Sequence, residues 1–129
     1  MPLMPTLEEA IDLFERRRKA WLAEDLDAYL ALWANDMTFK SPVHDEPLVG
    51  KEDYARLLRV SATAVKPLGF DILSIAVNGD LVLAEWKITM EWRLQNVTVS
   101  YTGMSRSIIR NGLITEWREY WNAGELQMD

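Results

Sequence analysis

The spacing of apolar residues in the N-terminal half predicts three helices. After Thr6, apolar side chains recur at steps of three and four residues, and Glu9 stands where a capping box requires it. The same spacing returns after Asp25, a good helix cap, and again before Pro67, which ends a helix. The predicted elements are helices at 6–23, 26–34 and 51–66, with a strand at 37–41 and a polar loop at 42–50.

Beyond Pro67 the apolar pattern changes to a period of two, which is typical of strands. In the second of these strands Trp86, Ile88 and Met90 alternate with charged and polar residues, so one face is buried and the other is wet. The predicted strands, at 70–77, 81–94, 97–110 and 113–122, are joined by turns at 78–80, 95–96 and 111–112 into an antiparallel meander.

Helices followed by a meander indicate an α+β fold in the order α-α-β-α-β-β-β-β, with the three helices wrapped over one face of the sheet. Because long strands twist, we expect a cone-shaped, curved antiparallel β-sheet with an aromatic inner face. A chain of 129 residues has the size of one domain, and we expect a single domain over 1–129. Small residues on the inner face, such as Gly103, favour a hollow for a ligand, but the same aromatics could fill a solid core.

The composition is globular, with unusually many tryptophans. Hydrophobic residues make up 49% of the chain and charged residues 26%, and six residues are Trp. Tryptophan is costly to leave in water and concentrates in cores, interfaces and ligand cavities. We therefore expect a small hydrophobic molecule as the ligand.

Charge and residue usage argue against several classes of partner. The net charge of −6 would repel a phosphate backbone, so we expect no nucleic acid. The chain has no apolar run of about 18 residues and no signal-peptide pattern, so we expect a cytoplasmic protein without membrane contact. Cysteine is absent and histidine occurs once, which argues against a metal site, and we expect no cofactor.

Two segments resemble a known superfamily. The segment 26–39, LDAYLALWANDMTF, together with the order of elements, resembles the nuclear transport factor 2-like superfamily over nearly the whole chain. The segment 112–122, GLITEWREYWN, resembles the last strand of its SnoaL-like polyketide cyclase and limonene epoxide hydrolase branches. The resemblance implies the cone fold, in a superfamily that hosts isomerases, hydrolases, dehydratases, cyclases and binding modules.

The same resemblance identifies catalytic groups that this chain lacks. Ser41 stands where ketosteroid isomerases carry their catalytic aspartate, and Arg17 stands at the position of their oxyanion-hole tyrosine. A serine without an adjacent base cannot take a proton from carbon near neutral pH, so that mechanism is disfavoured. Compared with limonene epoxide hydrolases, Glu119 keeps the carboxylate of the last strand, but Trp86 and Ile88 replace the other two members of the triad.

Glu119 is the main candidate for chemistry. It shares the two-residue phase of Trp117 and Trp121, so a strand that turns those indoles inward also turns this carboxylate inward. Unpaired among indoles its pKa should rise, which suits a general acid or base, whereas an arginine partner would keep it ionised and structural. Arg18 lies near the centre of the first helix's apolar stripe and Arg17 at its edge; alternatively, the Arg18 stem follows apolar surface and its head reaches water.

Other polar residues are candidate helpers of Glu119. His44, in the loop, is either exposed or able to donate to a ligand or carry a proton. Tyr101 is either a core aromatic or a donor to a substrate oxygen. The predicted catalytic residues are Glu119, His44, Tyr101 and Ser41, and the predicted ligand-binding residues are Arg18, Arg17, Phe14, Trp21, Phe39, Trp86, Ile88, Met90, Gly103, Trp117 and Trp121.

Three functions are compatible with these residues. The first is a SnoaL-like enzyme that uses acid–base chemistry on a hydrophobic, oxygen-bearing substrate. The second is a non-catalytic binding or carrier module in which Glu119 only orients the ligand. The third uses the wet face of the meander as a homodimer or partner surface, through Glu85, Lys87, Glu91, Arg93, Glu116 and Arg118.

Overall fold

The structure, a computed structural model, describes residues 3–126 and confirms the α+β fold. Helices from the N-terminal half pack on one face of a six-stranded sheet. The elements, in chain order, are α1 (Leu7–Leu22), α2 (Leu26–Leu30), β1 (Trp33–Lys40), β2 (Leu48–Val49), α3 (Lys51–Ala64), β3 (Val65–Asn78), β4 (Leu81–Trp92), β5 (Val97–Arg110), β6 (Leu113–Trp121) and a 3₁₀ turn (Ala123–Leu126).

Capping side chains determine where the first two helices begin. The Thr6 hydroxyl accepts the N–H of Glu9, and the Glu9 carboxylate accepts the N–H of Thr6, each at 3.1 Å. This is the predicted capping box. Asp25 likewise accepts the N–H of Ala28 at 3.1 Å and starts α2, which is only five residues long. Helix α1 buries Ala10, Leu13, Phe14, Arg17 and Ala20.

The sheet is mixed rather than wholly antiparallel, with the order β2-β1-β6-β5-β4-β3. Strands β3 to β6 form the predicted antiparallel meander. Strand β1 instead pairs in parallel with β6, with Phe39 opposite Trp117. A parallel neighbour needs a long crossover connection, which α3 and the meander supply. Strand β2 pairs antiparallel with β1, but its two residues are too few to leave an alternating pattern in the sequence.

Strand β1 begins earlier than predicted. The sequence pattern predicts a strand at 37–41 and places Trp33 in the preceding helix. In the structure Ile114 donates its N–H to the carbonyl of Leu32 at 2.9 Å, and Trp33 pairs with Ile114. The chain therefore joins the sheet as soon as α2 ends, because β6 offers it a partner there.

Strand β3 also begins earlier than predicted and includes a proline. The helix expected to reach 66 ends at Ala64, and β3 starts at Val65, which pairs with Trp92. Pro67 lies within this strand. Proline is tolerated because β3 is at the edge of the sheet, where one side of the strand needs no ladder hydrogen bonds.

The core lies between the helices and the inner face of the sheet and consists largely of aromatic rings. Trp86, Ile88 and Met90 are buried on the inner face, as the alternation predicted. A Cβ atom at Gly103 would lie 2.7 Å from the Trp86 ring. Glycine at this position therefore allows the indole to lie directly against β5.

Candidate active site

Strand β6 turns Glu119 toward its two aromatic neighbours. The Trp117 indole N–H donates to Oε1 of Glu119 at 2.9 Å, and the Trp121 indole N–H donates to Oε2 at 2.6 Å. All three side chains share one strand face because they are two residues apart. The carboxylate is therefore held in a fixed orientation by its own strand, with further lone pairs left on both oxygens.

Burial raises the pKa of Glu119 above its ordinary value. The charge of Arg17 is the largest opposing influence, followed by the two indole hydrogen bonds and the charge of His44. On balance the pKa of Glu119 remains raised, because removing the carboxylate from water outweighs these stabilising groups. Glu119 thus holds a proton to higher pH than a solvated glutamate does.

Arg17 is a buried cation inside a group of aromatic rings. The residue is only 8% exposed, and its guanidinium carbon lies 4.3 Å from the ring centre of Trp117, 5.0 Å from Phe70 and 5.4 Å from Tyr29. Its Nε is buried without a hydrogen-bond partner, and the ion pairs found within residues 3–126 do not include it. Trp117 therefore separates the two charges, with its ring face toward Arg17 and its N–H toward Glu119.

Arg18, in contrast, does not enter the core, which corrects its place among the predicted ligand-binding residues. Its guanidinium pairs with Glu15 at 3.2 Å on the partly exposed side of α1. The predicted apolar stripe gave weight to Leu7 and Ile11, which are 49% and 43% exposed. The buried stripe passes instead through positions that bring Arg17 inward, so the two arginines exchange roles.

Ser41 and His44 form a hydrogen-bonded pair at the end of β1. The parallel register of β1 and β6 brings Ser41 beside the row of Glu119. The Ser41 hydroxyl lies 2.7 Å from Nδ1 of His44, and the His44 ring contacts Phe39 edge-on at 5.8 Å. The expectation that Ser41 has no adjacent base is therefore wrong. The charge of His44 also acts to lower the pKa of Glu119, against the larger effect of burial.

Strand β5 brings Tyr101 and Ser105 to the same face. Ser105 lies opposite Glu119 in the β5–β6 register, and its hydroxyl accepts the Trp86 indole N–H at 3.1 Å. The Tyr101 ring lies 5.3 Å from Trp121. Burial, followed by the negative charge of Glu119, raises the pKa of Tyr101 far above its ordinary value. Its hydroxyl therefore stays protonated and can donate a hydrogen bond.

The sequence matches the SnoaL-like domain over residues 14–117, which is most of its length. The chain belongs to the SnoaL-like domain family. The resemblance of the chain to the SnoaL-like domain is thereby confirmed, and the match includes the whole of segment 26–39. A search among curated proteins finds no match for this SnoaL-like domain.

Solved structures share the fold of this SnoaL-like domain at low sequence identity. A Bacillus subtilis protein provisionally assigned as an isomerase has a TM-score of 0.85 at 19% identity, covering 95% of this chain and 93% of that chain. An LEH-like epoxide hydrolase of M. tuberculosis has a TM-score of 0.79 at 24% identity, covering 95% and 89%. A Xanthomonas campestris protein provisionally assigned as a polyketide cyclase has a TM-score of 0.78 at 22% identity, covering 92% and 93%. At these identities the matches show the fold alone.

Aromatic rings of the SnoaL-like domain fill much of the interior behind Glu119. Phe14 lies 5.5 Å from Trp117, Phe70 lies 5.7 Å from Trp86, and Phe39 stacks on Tyr54 at 4.8 Å. The solid-core alternative therefore describes this region better than an open hollow does. Glu119 and Trp121 are only partly buried, so the carboxylate lies at the edge of the filled core. The predicted inward residues Phe14, Phe39, Trp86, Ile88, Met90, Gly103 and Trp117 are all buried.

An apolar cavity of about 250 Å³ lies among α1, α2, α3 and the start of β3. Its walls include Ala20, Trp21, Leu26, Tyr29, Leu58 and Val65, and Glu119 is not among its lining residues. Trp21 was predicted to share a pocket with Glu119, but it lines this cavity and packs edge-on against Phe70 at 6.5 Å. Tyr29 belongs both to the cavity wall and to the rings around Arg17.

The core contains a buried pair of tyrosine hydroxyls that the sequence pattern does not predict. The hydroxyls of Tyr29 and Tyr54 lie 2.9 Å apart, and both side chains act to raise the pKa of Arg17. Burial raises the pKa of Tyr54 well above its ordinary value, so this hydroxyl remains protonated. The helical patterns placed each tyrosine on a buried stripe, but only the packing of α2 against α3 brings the hydroxyls together.

Metal-ligating side chains are scattered in this SnoaL-like domain. Within residues 3–126, no group of three or more His, Cys, Asp or Glu side chains lies close enough to hold a metal ion. The helices described in this range are also too short or too polar to cross a membrane.

Proposed function

We propose that this SnoaL-like domain is an acid–base enzyme that acts without a cofactor on a small hydrophobic, oxygen-bearing molecule. Glu119 is the group that gives or takes the proton. The observation that carries the proposal is a carboxyl fixed by two indole N–H groups at the edge of an aromatic core, with a pKa raised by burial. A raised pKa brings a carboxyl closer to the pH at which general acids and bases work best.

The neighbouring groups have complementary roles. Tyr101 remains protonated and donates to an oxygen of the substrate. Arg17 stabilises negative charge near Glu119 from behind Trp117. The hydrogen-bonded Ser41–His44 pair links the site to the solvent-facing loop, because His44 is only partly buried.

Glu119→Gln tests this assignment against a matched variant on the same strand. Glu116 pairs with Arg106 at 2.8 Å and takes no part in the aromatic group, so Glu116→Gln is the control. Aromatic ketones, lactones and epoxides are first screened by tryptophan fluorescence, and those that bind are assayed for conversion. We expect Glu119→Gln to lower kcat by about 10²–10⁴-fold, the usual contribution of general acid–base catalysis.

The two variants separate the possible outcomes. Retained substrate binding with lost conversion in Glu119→Gln, and unchanged conversion in Glu116→Gln, support the proposal. Conversion that survives in Glu119→Gln would contradict it, because Glu119 is the carboxyl that accepts from both indoles.

A carrier function is the second candidate, and the separate apolar cavity favours it. The cavity of about 250 Å³ offers room for a ligand away from the acid–base residues. Ala62 lines this cavity, whereas Ala64, two residues later on α3, does not. If the protein is a carrier, Ala62→Trp should abolish ligand binding while Ala64→Trp and Glu119→Gln leave it intact. Binding that depends on Glu119 and survives in Ala62→Trp would refute the carrier function.

A further inference from the structure

Arg17 carries a buried charge that no carboxylate in the described part of the chain neutralises through a direct ion pair. Its Nε makes no hydrogen bond, and the ion pairs found there involve other arginines. Glu119 influences Arg17 through its charge without an ion pair, and the Tyr29 side chain is its hydrogen-bond neighbour. Burying an ion without an ion-pair partner is costly, so a buried arginine in this state is suited to receive an acceptor from outside the chain.

The rings around Arg17 hold the guanidinium but do not satisfy it. Trp117, Phe70 and Tyr29 offer ring faces at 4.3, 5.0 and 5.4 Å, which stabilise a cation by cation–π contact. Ring faces do not use the in-plane donors of the planar guanidinium fork, of which the buried Nε–H has no hydrogen-bond partner. Carboxylates match this planar fork with two oxygens, whereas a neutral carbonyl offers only one.

We propose that Arg17 binds a carboxylate of the ligand, so that the molecule handled at the Glu119 site is an apolar, ring-bearing carboxylic acid in its anionic form. The location of this ligand rests on the proposed function of Glu119, to which we add the chemical class of the ligand. Arg17 supplies the charge that the anionic group of such a molecule requires, and the apolar body lies at the edge of the filled core, against the partly buried Trp121.

The groups that face this site are compatible with one added negative charge. Burial raises the pKa of Tyr54 from α3 and of Tyr101 from β5, so both hydroxyls stay uncharged, and Tyr29 from α2 and His44 from the loop are the other groups that face the site. Glu119 from β6 is the like-charged neighbour, and a ligand carboxylate beside it favours its protonated form. That form can donate its proton to the bound molecule, which fits the acid–base role.

Benzoate and benzamide provide a direct test, because they have the same planar shape but differ in charge. Binding is measured with the whole protein by calorimetry and by tryptophan fluorescence. Charge-assisted hydrogen bonds to a buried arginine should make benzoate bind about 10-fold or more tightly than benzamide. We expect Arg17→Met, which keeps the apolar stem, to remove this preference, while Arg18→Met leaves it unchanged because Arg18 pairs with Glu15 outside the core.

Each outcome decides the inference. Equal affinity for the two probes, no binding of either one, or undiminished benzoate binding by folded Arg17→Met would overturn it. Should Arg17→Met unfold, Arg17→Lys takes its place; it keeps the charge without the planar fork and should bind benzoate more weakly than the wild type but still in preference to benzamide. Glu119→Gln should bind benzoate as tightly as the wild type or more tightly, and it should lose conversion of the substrates found in the screen. Failure of the catalytic proposal is therefore distinguishable from failure of the proposed carboxylate binding.

Discussion

At the scale of single residues, the proposed chemistry depends on how one carboxylate is held. Trp117 and Trp121 donate to separate oxygens of Glu119, and Arg17 acts on the same carboxylate through the ring of Trp117. Donors that bond the charged form lower the pKa of an acid. The pKa of Glu119 is therefore set by burial, which raises it, and by a small number of nearby donors, which lower it. Each of these donors can be removed by a single substitution.

Trp121→Phe should raise the pKa of Glu119 further. Phenylalanine keeps an aromatic ring but lacks the indole N–H that donates to the ionised carboxylate at 2.6 Å. Losing one charge-assisted hydrogen bond corresponds to an increase of about one pKa unit. The titration of Glu119 is followed by carbon-13 NMR of its carboxyl. Trp92→Phe is the control, because the Trp92 indole N–H has no partner and its loss should leave the titration unchanged. An unchanged or lowered pKa in Trp121→Phe would contradict the role given to the indole.

The raised pKa of Glu119 also predicts how stability depends on pH. The folded protein holds this proton to higher pH than the unfolded chain, whose glutamates titrate near about 4.3. The contribution of Glu119 to folding is therefore complete below that value and is lost as pH rises through the folded pKa. Urea unfolding at a series of pH values should show this decline in the wild type and its absence in Glu119→Gln. Parallel pH profiles for the two proteins would argue that the folded pKa is not raised.

Strand periodicity made Glu119 predictable, whereas helix periodicity did not decide between Arg17 and Arg18. On a strand the choice of face is binary, so two inward tryptophans fix the direction of the residue between them. On a helix neighbouring positions differ by about 100°, and two exposed apolar residues were enough to shift the estimated stripe. The bond between Ser41 and His44 depends on a loop conformation that the sequence pattern does not encode.

At the scale of elements, the approach of β4 to β5 depends on one glycine. Gly103 lies opposite Trp86, and its missing side chain leaves the space that the indole occupies. The backbone angle of Gly103 is ordinary for a strand, so the requirement for glycine is one of space rather than of conformation. Overfilling such a position forces either the ring or the strand to move.

Gly103→Ala should therefore destabilise the fold. The added Cβ would lie 2.7 and 2.8 Å from two carbons of the Trp86 ring, and overpacking of this kind costs about 1–3 kcal/mol. Gly69→Ala is the matched control, since its Cβ would lie 3.6 Å from Thr89, an ordinary contact distance. Chemical denaturation of both variants measures the difference. Equal stability of Gly103→Ala and the wild type would show that Trp86 relaxes without cost.

The meander was predictable at this scale because each hairpin is local, but the parallel pairing of β1 with β6 was not. Their partners, such as Phe39 and Trp117, are far apart in sequence, and nothing in either strand alone specifies a parallel neighbour. The start of strand β3 could not be predicted for a different reason. Pro67 fits inside this strand because β3 lies at the edge of the sheet, and the sequence alone does not show which strand is at the edge.

At the scale of the whole molecule, the outer face of the sheet carries exposed apolar side chains. Met104 lies opposite Tyr120, and these side chains are 48% and 53% exposed. Of the charged residues expected on this surface, Arg93 pairs with Glu24 and Glu116 pairs with Arg106 inside the chain. The charges left for contacts between copies are Glu85, Lys87, Glu91 and Arg118.

We expect a homodimer that buries Met104 and Tyr120 at its centre, with Arg118 of one copy near acidic residues of the other. Arg118 lies opposite Arg106 in the β5–β6 register, and like charges in this position repel, so an acidic group from a second copy would relieve the repulsion.

Sedimentation velocity over a range of concentrations should show a dimer for the wild type and a monomer for the double variant Met104→Glu, Tyr120→Glu. Val60→Glu, at a 68% exposed position on α3, introduces the same charge away from the sheet and should remain dimeric. Apolar surfaces of two protein copies associate mainly because contact removes them from water. A wild type that stays monomeric at high micromolar concentration would therefore contradict the homodimer, because it would show that Met104 and Tyr120 do not pack against a second copy.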